Sequence, residues 1–249
     1  MPELVYPPVI AAAKTMFRVL DLRLRVEGSH HVPRTGGAVL ASNHVSYLDF
    51  IFCGYGARDS GRLVRFMAKE SVFRHKVSGP LMRGMKHIPV NRAAGAGSYQ
   101  TAVSALRRGE VVGVFPEATI SRSFTVKELK SGAARMAQQA AVPLLPVALW
   151  GTQRLWTKGR PRTLTRRHTP ISILVGEPMD PAGYPDAATM TAELKNRLSA
   201  LVDRAQREYP EQPAGPDDAW WQPAHLGGAA PTPEEAAALD RRGPRAATS

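Results

Sequence analysis

Gly37-Ala38-Val39-Leu40-Ala41-Ser42-Asn43-His44-Val45-Ser46-Tyr47-Leu48-Asp49 carries a short apolar run straight into a polar turn, and the apolar segment 48–55 follows it. A strand, a turn and a helix in that order are the unit of an α/β domain, and open α/β sheets bind their ligands where strands end at the carboxyl side. Working outward, apolar runs of strand length recur at 64–68, 87–90, 111–115, 144–150 and 171–175, with segments of helical period between them. The clearest helix is the last, where Leu194, Leu198, Leu201, Val202 and Ala205 fall on a single stripe. Another, 98–108, holds Ala102, Val103, Ala105 and Leu106 and stops at Gly109. Residues 8–20 begin at a pair of prolines and are apolar apart from Lys14 and Arg18, which suits either a core helix or an amphipathic helix on a membrane surface. The pattern predicts one α/β domain over 1–205, a mixed, mostly parallel sheet flanked by helices, with an N-terminal helix inside 1–20.

The chain has 249 residues with a formal net charge of +12, and 43% hydrophobic against 22% charged residues, close to the globular average. A chain of this length buries a full core. The single cysteine, Cys53, excludes an internal disulfide and a cysteine-based zinc site, which suits a reducing compartment, and no metal site is indicated. The longest uncharged stretch, 136–153, contains Gln138, Gln139, Pro143 and Pro146, so no transmembrane span is expected. The start shows no secretory signal.

The charge is uneven. Of the 33 basic and 21 acidic residues, four and seven fall in 206–249, so this tail nets −3 and the body +15. The tail is rich in Pro, Gly and Ala and poor in large apolar residues, a composition that predicts mostly low order. Its exception, Trp220-Trp221, can dock on the body or sit at a lipid interface.

Three constellations can carry chemistry. A spacing of five puts His44 and Asp49 about 140° apart on a continuous helix, so they meet only if His44 lies in the turn before the helix and Asp49 in its first turn. The carboxylate would then hold one ring nitrogen and leave the other as a general base. Ser46-x-x-Asp49 also matches a helix-capping pattern, which gives Asp49 a purely structural alternative. The second constellation is Phe115-Pro116-Glu117-Ala118-Thr119-Ile120-Ser121-Arg122, where proline ends a strand and sets Glu117 and Thr119 at the rim. The third is Ile88-Pro89-Val90-Asn91-Arg92, whose guanidinium is suited to phosphate or simply to solvent. A serine nucleophile elbow, a GxxxxGK[ST] loop and a complete GxGxxG are all absent, which argues against serine hydrolases and nucleotide enzymes.

In this order the blocks resemble those of the lysophospholipid acyltransferase family, which includes the 1-acyl-sn-glycerol-3-phosphate acyltransferases. Asn43-His44 with Asp49 is similar to its NHxxxxD motif, Ile88 to Arg92 to its second block, Phe115-Pro116-Glu117 with Thr119 to FPEGTR, Lys130-Ser131-Gly132 to its Lys-x-Gly segment, and Val142 to Val147 to its fourth block. The likeness spans roughly residues 20–180. It implies an acyltransferase-type domain over 1–205 and acyl transfer from a thioester, acyl-CoA or acyl-carrier protein, to the hydroxyl of a lysophospholipid such as 1-acyl-glycerol-3-phosphate, without a cofactor.

On that resemblance His44 is the general base and Asp49 orients it. Asn43, Ser46, Arg92, Phe115, Pro116, Glu117, Thr119, Arg122 and Lys130 bind substrate, and Cys53 only packs. Two departures stand out: Ala118 replaces the family's Gly and Ile120 its Arg, with Arg122 able to stand in for the latter.

The basic stretches also acquire a role. Six basic residues and no acid lie in 151–170, and eight lie in 62–92 against Glu70 alone. They suit a peripheral protein at the cytoplasmic face of an anionic membrane. A nucleic-acid binder is the competing class, but no recognition motif supports it and aromatics are only 7% of the chain. An inactive, lipid-binding relative is a further alternative.

Overall fold

The computed structural model describes residues 3–91 and 95–241. In chain order, α1 (Tyr6–Val19), β1 (Arg23–Glu27), β2 (Ala38–Ser42), α2 (Asp49–Tyr55), β3 (Val64–Lys69), α3 (Glu70–Arg74), α4 (Ser78–Gly84) and β4 (Ile88–Val90) come first. They are followed by α5 (Gly95–Arg107), β5 (Val111–Val114), α6 (Gly132–Ala140), β6 (Leu144–Trp150), β7 (Pro170–Val175), α7 (Ala187–Arg207) and α8 (Pro233–Arg241).

The strands form a seven-stranded sheet in the order β1-β7-β6-β2-β5-β3-β4. Every pairing is parallel except β6 with β7. All five residues of β2 are buried, as a central strand covered on both faces requires. Alternation along β2 divides its side chains. Leu40 joins Phe17, Phe52, Phe66 and Ile173 in the layer under α1 and α2, while Val39 and Ala41 join Ala102, Val103, Leu106 and Leu194 under α5, α6 and α7. The result is a sheet between two helical layers.

The six apolar runs become β2 to β7, with ends moved by one residue at most. β1 was not anticipated. In Arg23-Leu24-Arg25-Val26-Glu27 only two residues are apolar, because this edge strand pairs with β7 alone and leaves its charged residues at the surface.

The expectation of low order for 206–249 has to be narrowed. Residues 242–249 lie outside the described residues, α7 runs on to Arg207, and 208–241 are folded. Trp221 is 1% exposed, its ring 5.5 Å from that of Tyr209 and 4.4 Å from the guanidinium of Arg154. Trp220 lies under Arg160 at 4.9 Å. The tryptophan pair therefore packs on the body. Composition undervalues such a segment because a few large side chains carry most of the burial that orders it.

One glycine sets the spacing beneath the site. A Cβ on Gly113 of β5 would lie 2.4 Å from Cε1 of Phe66 and 2.8 Å from Cγ1 of Val64. Phe66 in turn stacks 6.0 Å from Phe115. Gly113→Ala is expected to lower unfolding free energy by about 1–3 kcal/mol, the usual range for overpacking a core. Urea denaturation checks this, and an unchanged midpoint would contradict it.

Candidate active site

β2 lies between β5 and β6 and runs parallel to both, with Ala41 opposite both Val114 and Pro146. Segments far apart in sequence therefore leave the sheet side by side at the same edge. His44 emerges after β2, Phe115 to Glu117 after β5, and Thr152 after β6.

His44 lies in the turn and Asp49 opens α2, the arrangement that their spacing demands. The Nδ1 of His44 is 2.9 Å from Oδ2 of Asp49. That same oxygen accepts the backbone N–H groups of Val45 and Ser46, both at 2.7 Å, while Oδ1 accepts the hydroxyl of Thr152 at 2.6 Å. Asp49 is fully buried, and its four donors replace the water it has lost. Its bond to the N–H of Ser46 is only half of a capping box, because Ser46 Oγ accepts the N–H of Leu48 at 3.1 Å and not that of Asp49, and the N-cap of α2 is Leu48, which makes no side-chain cap bond. Asp49 therefore holds His44 and the backbone of the turn before α2 with one carboxylate, in place of a helix cap. The imidazole is 21% exposed and stacks on Phe115 with ring centroids 4.4 Å apart. Bonded at Nδ1, it has Nε2 as its remaining basic atom.

The turn is held rigidly. The amide of Asn43 donates to the carbonyl of Leu149 at 3.0 Å and accepts the Leu149 N–H at 2.7 Å, continuing the β2–β6 pairing with a side chain. Ser46 Oγ donates to the Trp156 carbonyl at 2.7 Å, and Thr157 Oγ1 to that of Val45 at 2.6 Å. The side chains of Asn43 and Ser46 are committed to backbone, so they position the turn.

Glu117 closes the site from β5. Its carboxylate accepts the N–H of His44 at 2.8 Å and that of Lys127 at 3.1 Å, while the Ser121 N–H donates to the His44 carbonyl at 2.7 Å. Burial pushes Glu117 up to about 8, against the pull of those two N–H donors. Pro116 is buried, and its carbonyl accepts the N–H of Lys130, whose own side chain is exposed. Thr119 Oγ1 accepts from Lys127 Nζ at 2.8 Å.

The model of the Acyltransferase family matches residues 23–150, just over half of the chain and all of this constellation except Thr152 to Thr157. The chain belongs to the acyltransferase family. It is 29% identical over 198 residues to the 1-acyl-sn-glycerol-3-phosphate acyltransferase of Bacillus subtilis, covering 75% of this chain and 92% of that one. It is 26% identical to the chloroplastic LPAT1 of Arabidopsis thaliana, a 1-acyl-sn-glycerol-3-phosphate acyltransferase, over 73% of this chain and 49% of that longer one. The crystal structure of the 1-acyl-sn-glycerophosphate acyltransferase of Thermotoga maritima shares the fold, with a TM-score of 0.71 at 24% identity over 82% of this chain and 81% of that one.

Within this acyltransferase, the two departures in the third block have structural readings. Ala118 has φ +61°, a left-handed conformation that glycine adopts freely and that costs an alanine roughly 1–2 kcal/mol. Ile120 is buried, 4% exposed. Arg122 does not point into open solvent; its Nε lies 3.2 Å from Asp240. Arg92 lies outside the described residues. Cys53 is buried in α2, and burial holds its thiol well above the ordinary range, so it packs.

Sequence reasoning gives no role to Thr152, Lys127 or Asp240, and reaches Lys158 only as one of the six basic residues of 151–170. Thr152 was marked only by its place at the end of β6. Thr232-x-x-Glu235 is a capping signal for α8: the Thr232 N–H donates to Glu235 at 2.9 Å, and the Glu235 N–H returns to Thr232 Oγ1 at 3.3 Å.

The Glu117 shift has a measurable sign. A free Glu ionises near 4.5, whereas folded Glu117 keeps its proton to about 8. Between these values the unfolded chain binds fewer protons, so this group makes stability fall as pH rises, levelling off above 8. In urea melts the wild-type minus Glu117→Gln difference in unfolding free energy is expected to drop by on the order of 2–4 kcal/mol from about pH 5 to about pH 8. A flat difference would contradict the raised value.

Proposed function

We propose that this acyltransferase moves a fatty acyl group from a thioester, acyl-CoA or acyl-carrier protein, to the free hydroxyl of a 1-acyl-glycerol-3-phosphate-type lysophospholipid. The observation that carries the reading is the His44–Asp49 bond, which fixes the ring through Nδ1 and leaves Nε2 as the basic atom of a side chain that is 21% exposed at a carboxyl-terminal sheet edge. Nε2 takes the hydroxyl proton as the acceptor oxygen attacks the thioester carbonyl carbon. The new C–O bond forms and the C–S bond breaks. The imidazolium, stabilised by Asp49, returns the proton to the departing thiolate, so no acyl-enzyme and no cofactor enter the step. Glu117 and Asn43 hold the turn, and Phe115 supports the ring.

A membrane surface is the natural source of such an acceptor. Among the described residues no helix is long and apolar enough to cross a membrane. Exposed Tyr47 and Phe50 flank the site, and exposed Val72, Val77 and Leu81 lie on or between α3 and α4 among Lys69, Arg74, Lys76 and Arg83. Apolar tips among cations fit peripheral contact with an anionic bilayer, and we assign that contact to the cytoplasmic face.

Incubation of the purified protein with long-chain acyl-CoA and 1-acyl-glycerol-3-phosphate, followed by thiol release, tests the reading. Release is expected to depend on the acceptor and to fall about 10²- to 10⁴-fold in His44→Ala with the fold intact. Full activity in that variant would overturn the mechanism, and no acceptor-dependent release would overturn the function.

A further inference from the structure

Three cations from two separate loops converge on one carboxylate of the C-terminal helix. Lys158 Nζ is 2.6 Å and Arg122 Nε 3.2 Å from Oδ1 of Asp240, and Lys127 Nζ is 3.0 Å from Oδ2. All four side chains are between 20% and 32% exposed, so the cluster is half-buried and still reachable from solvent. The close approach is prepared locally: Gly159 has φ +81°, and a Cβ there would lie 2.4 Å from a terminal nitrogen of Arg122.

The charges do not balance. Three cations face one carboxylate, leaving a surplus of two positive charges, whereas a phosphate monoester carries roughly 1.5–2 negative charges at neutral pH with more acceptor oxygens. Asp240 also sits in the last turn of α8, where the helix dipole disfavours an anion. Its position is set by the cations of the body. Burial alone would raise its pKa, yet hydrogen bonds from Lys158 and Lys127 hold it down at about 2. The cluster also touches the site: Lys127 donates its backbone N–H to Glu117, which accepts the N–H of His44.

We propose that Arg122, Lys127 and Lys158 form a seat for a phosphate monoester, and that Asp240 fills this seat in the free protein as an internal anion, so that the ligand displaces the end of α8. Two substrates of the proposed reaction carry that group: the acceptor, and CoA through its 3′-phosphate. Only this choice of sources rests on the acyl-transfer reading.

The test is binding without turnover. Isothermal titration of the full chain with glycerol 3-phosphate, CoA and dephospho-CoA is compared with Asp240→Asn and Lys158→Gln. Removing the competing carboxylate is expected to tighten phosphate binding about 5- to 10-fold, since the seat no longer has to be vacated. Lys158→Gln is expected to weaken it by a similar factor. A gain for glycerol 3-phosphate assigns the seat to the acceptor. A gain for CoA that dephospho-CoA lacks assigns it to the donor.

The same ligand is expected to speed tryptic cleavage after Arg241 in the unaltered chain, a readout that holds even if Asp240→Asn loosens the fold. Unchanged affinities in Asp240→Asn, or cleavage indifferent to every phosphate ligand, would overturn the proposal. Neither result depends on catalysis, so a missing acyl-transfer activity would leave the binding result legible on its own.

Discussion

Everything at the carboxyl edge of this sheet is organised around the buried carboxylate of Asp49. A carboxylate taken out of water is costly unless its lone pairs are filled, and here they are filled by an imidazole, two backbone N–H groups and a threonine hydroxyl. Those donors come from the turn after β2 and the segment after β6, so the charge can be accommodated only when both are in place. The demand to satisfy one buried group thereby fixes the angle of His44, the start of α2 and the approach of residues 151–157. Glu117 repeats the device from β5, tying the backbone of His44 to that of Lys127.

The parallel arrangement of β2, β5 and β6 makes this economical. Strands that run the same way release their turns at one edge, so three peptides distant in sequence become neighbours there. Gly113 and the stacked rings of Phe66, Phe115 and His44 extend the same order down into the core. The site is therefore held by the sheet beneath it, as a catalytic group that must keep its aim requires.

Much of this was legible in the residues themselves. Strands buried along their whole length, β2, β5, β6 and β7, are continuous apolar runs and are visible for that reason, while β3 and the edge strand β4 are buried only in part. β1 was hidden because an edge strand alternates charge with apolar side chains. The His44–Asp49 pair was readable from spacing, since only a turn followed by a helix brings the two together. What escaped were groups whose role comes from tertiary contact. Thr152 is an ordinary threonine until β6 is laid beside β2. Asp240 lies in a segment whose composition suggests disorder, and only the positions of Lys127, Lys158 and Arg122 give it a partner. Asn43, legible as part of a binding motif, turns out to spend its amide on the backbone of Leu149.

The central claim is that Asp49 fixes the tautomer of His44, with the proton on Nδ1 and Nε2 as the free base. Nitrogen-15 NMR of the imidazole side chains, with His44 assigned by comparison with His44→Ala, measures this directly. In the neutral form the account predicts a protonated Nδ1 and a pyridine-type Nε2 for His44, a state that Asp49→Ala should abolish. A neutral His44 that carries its proton on Nε2 in the unaltered protein would contradict the account, because that nitrogen would then have no lone pair with which to take a proton.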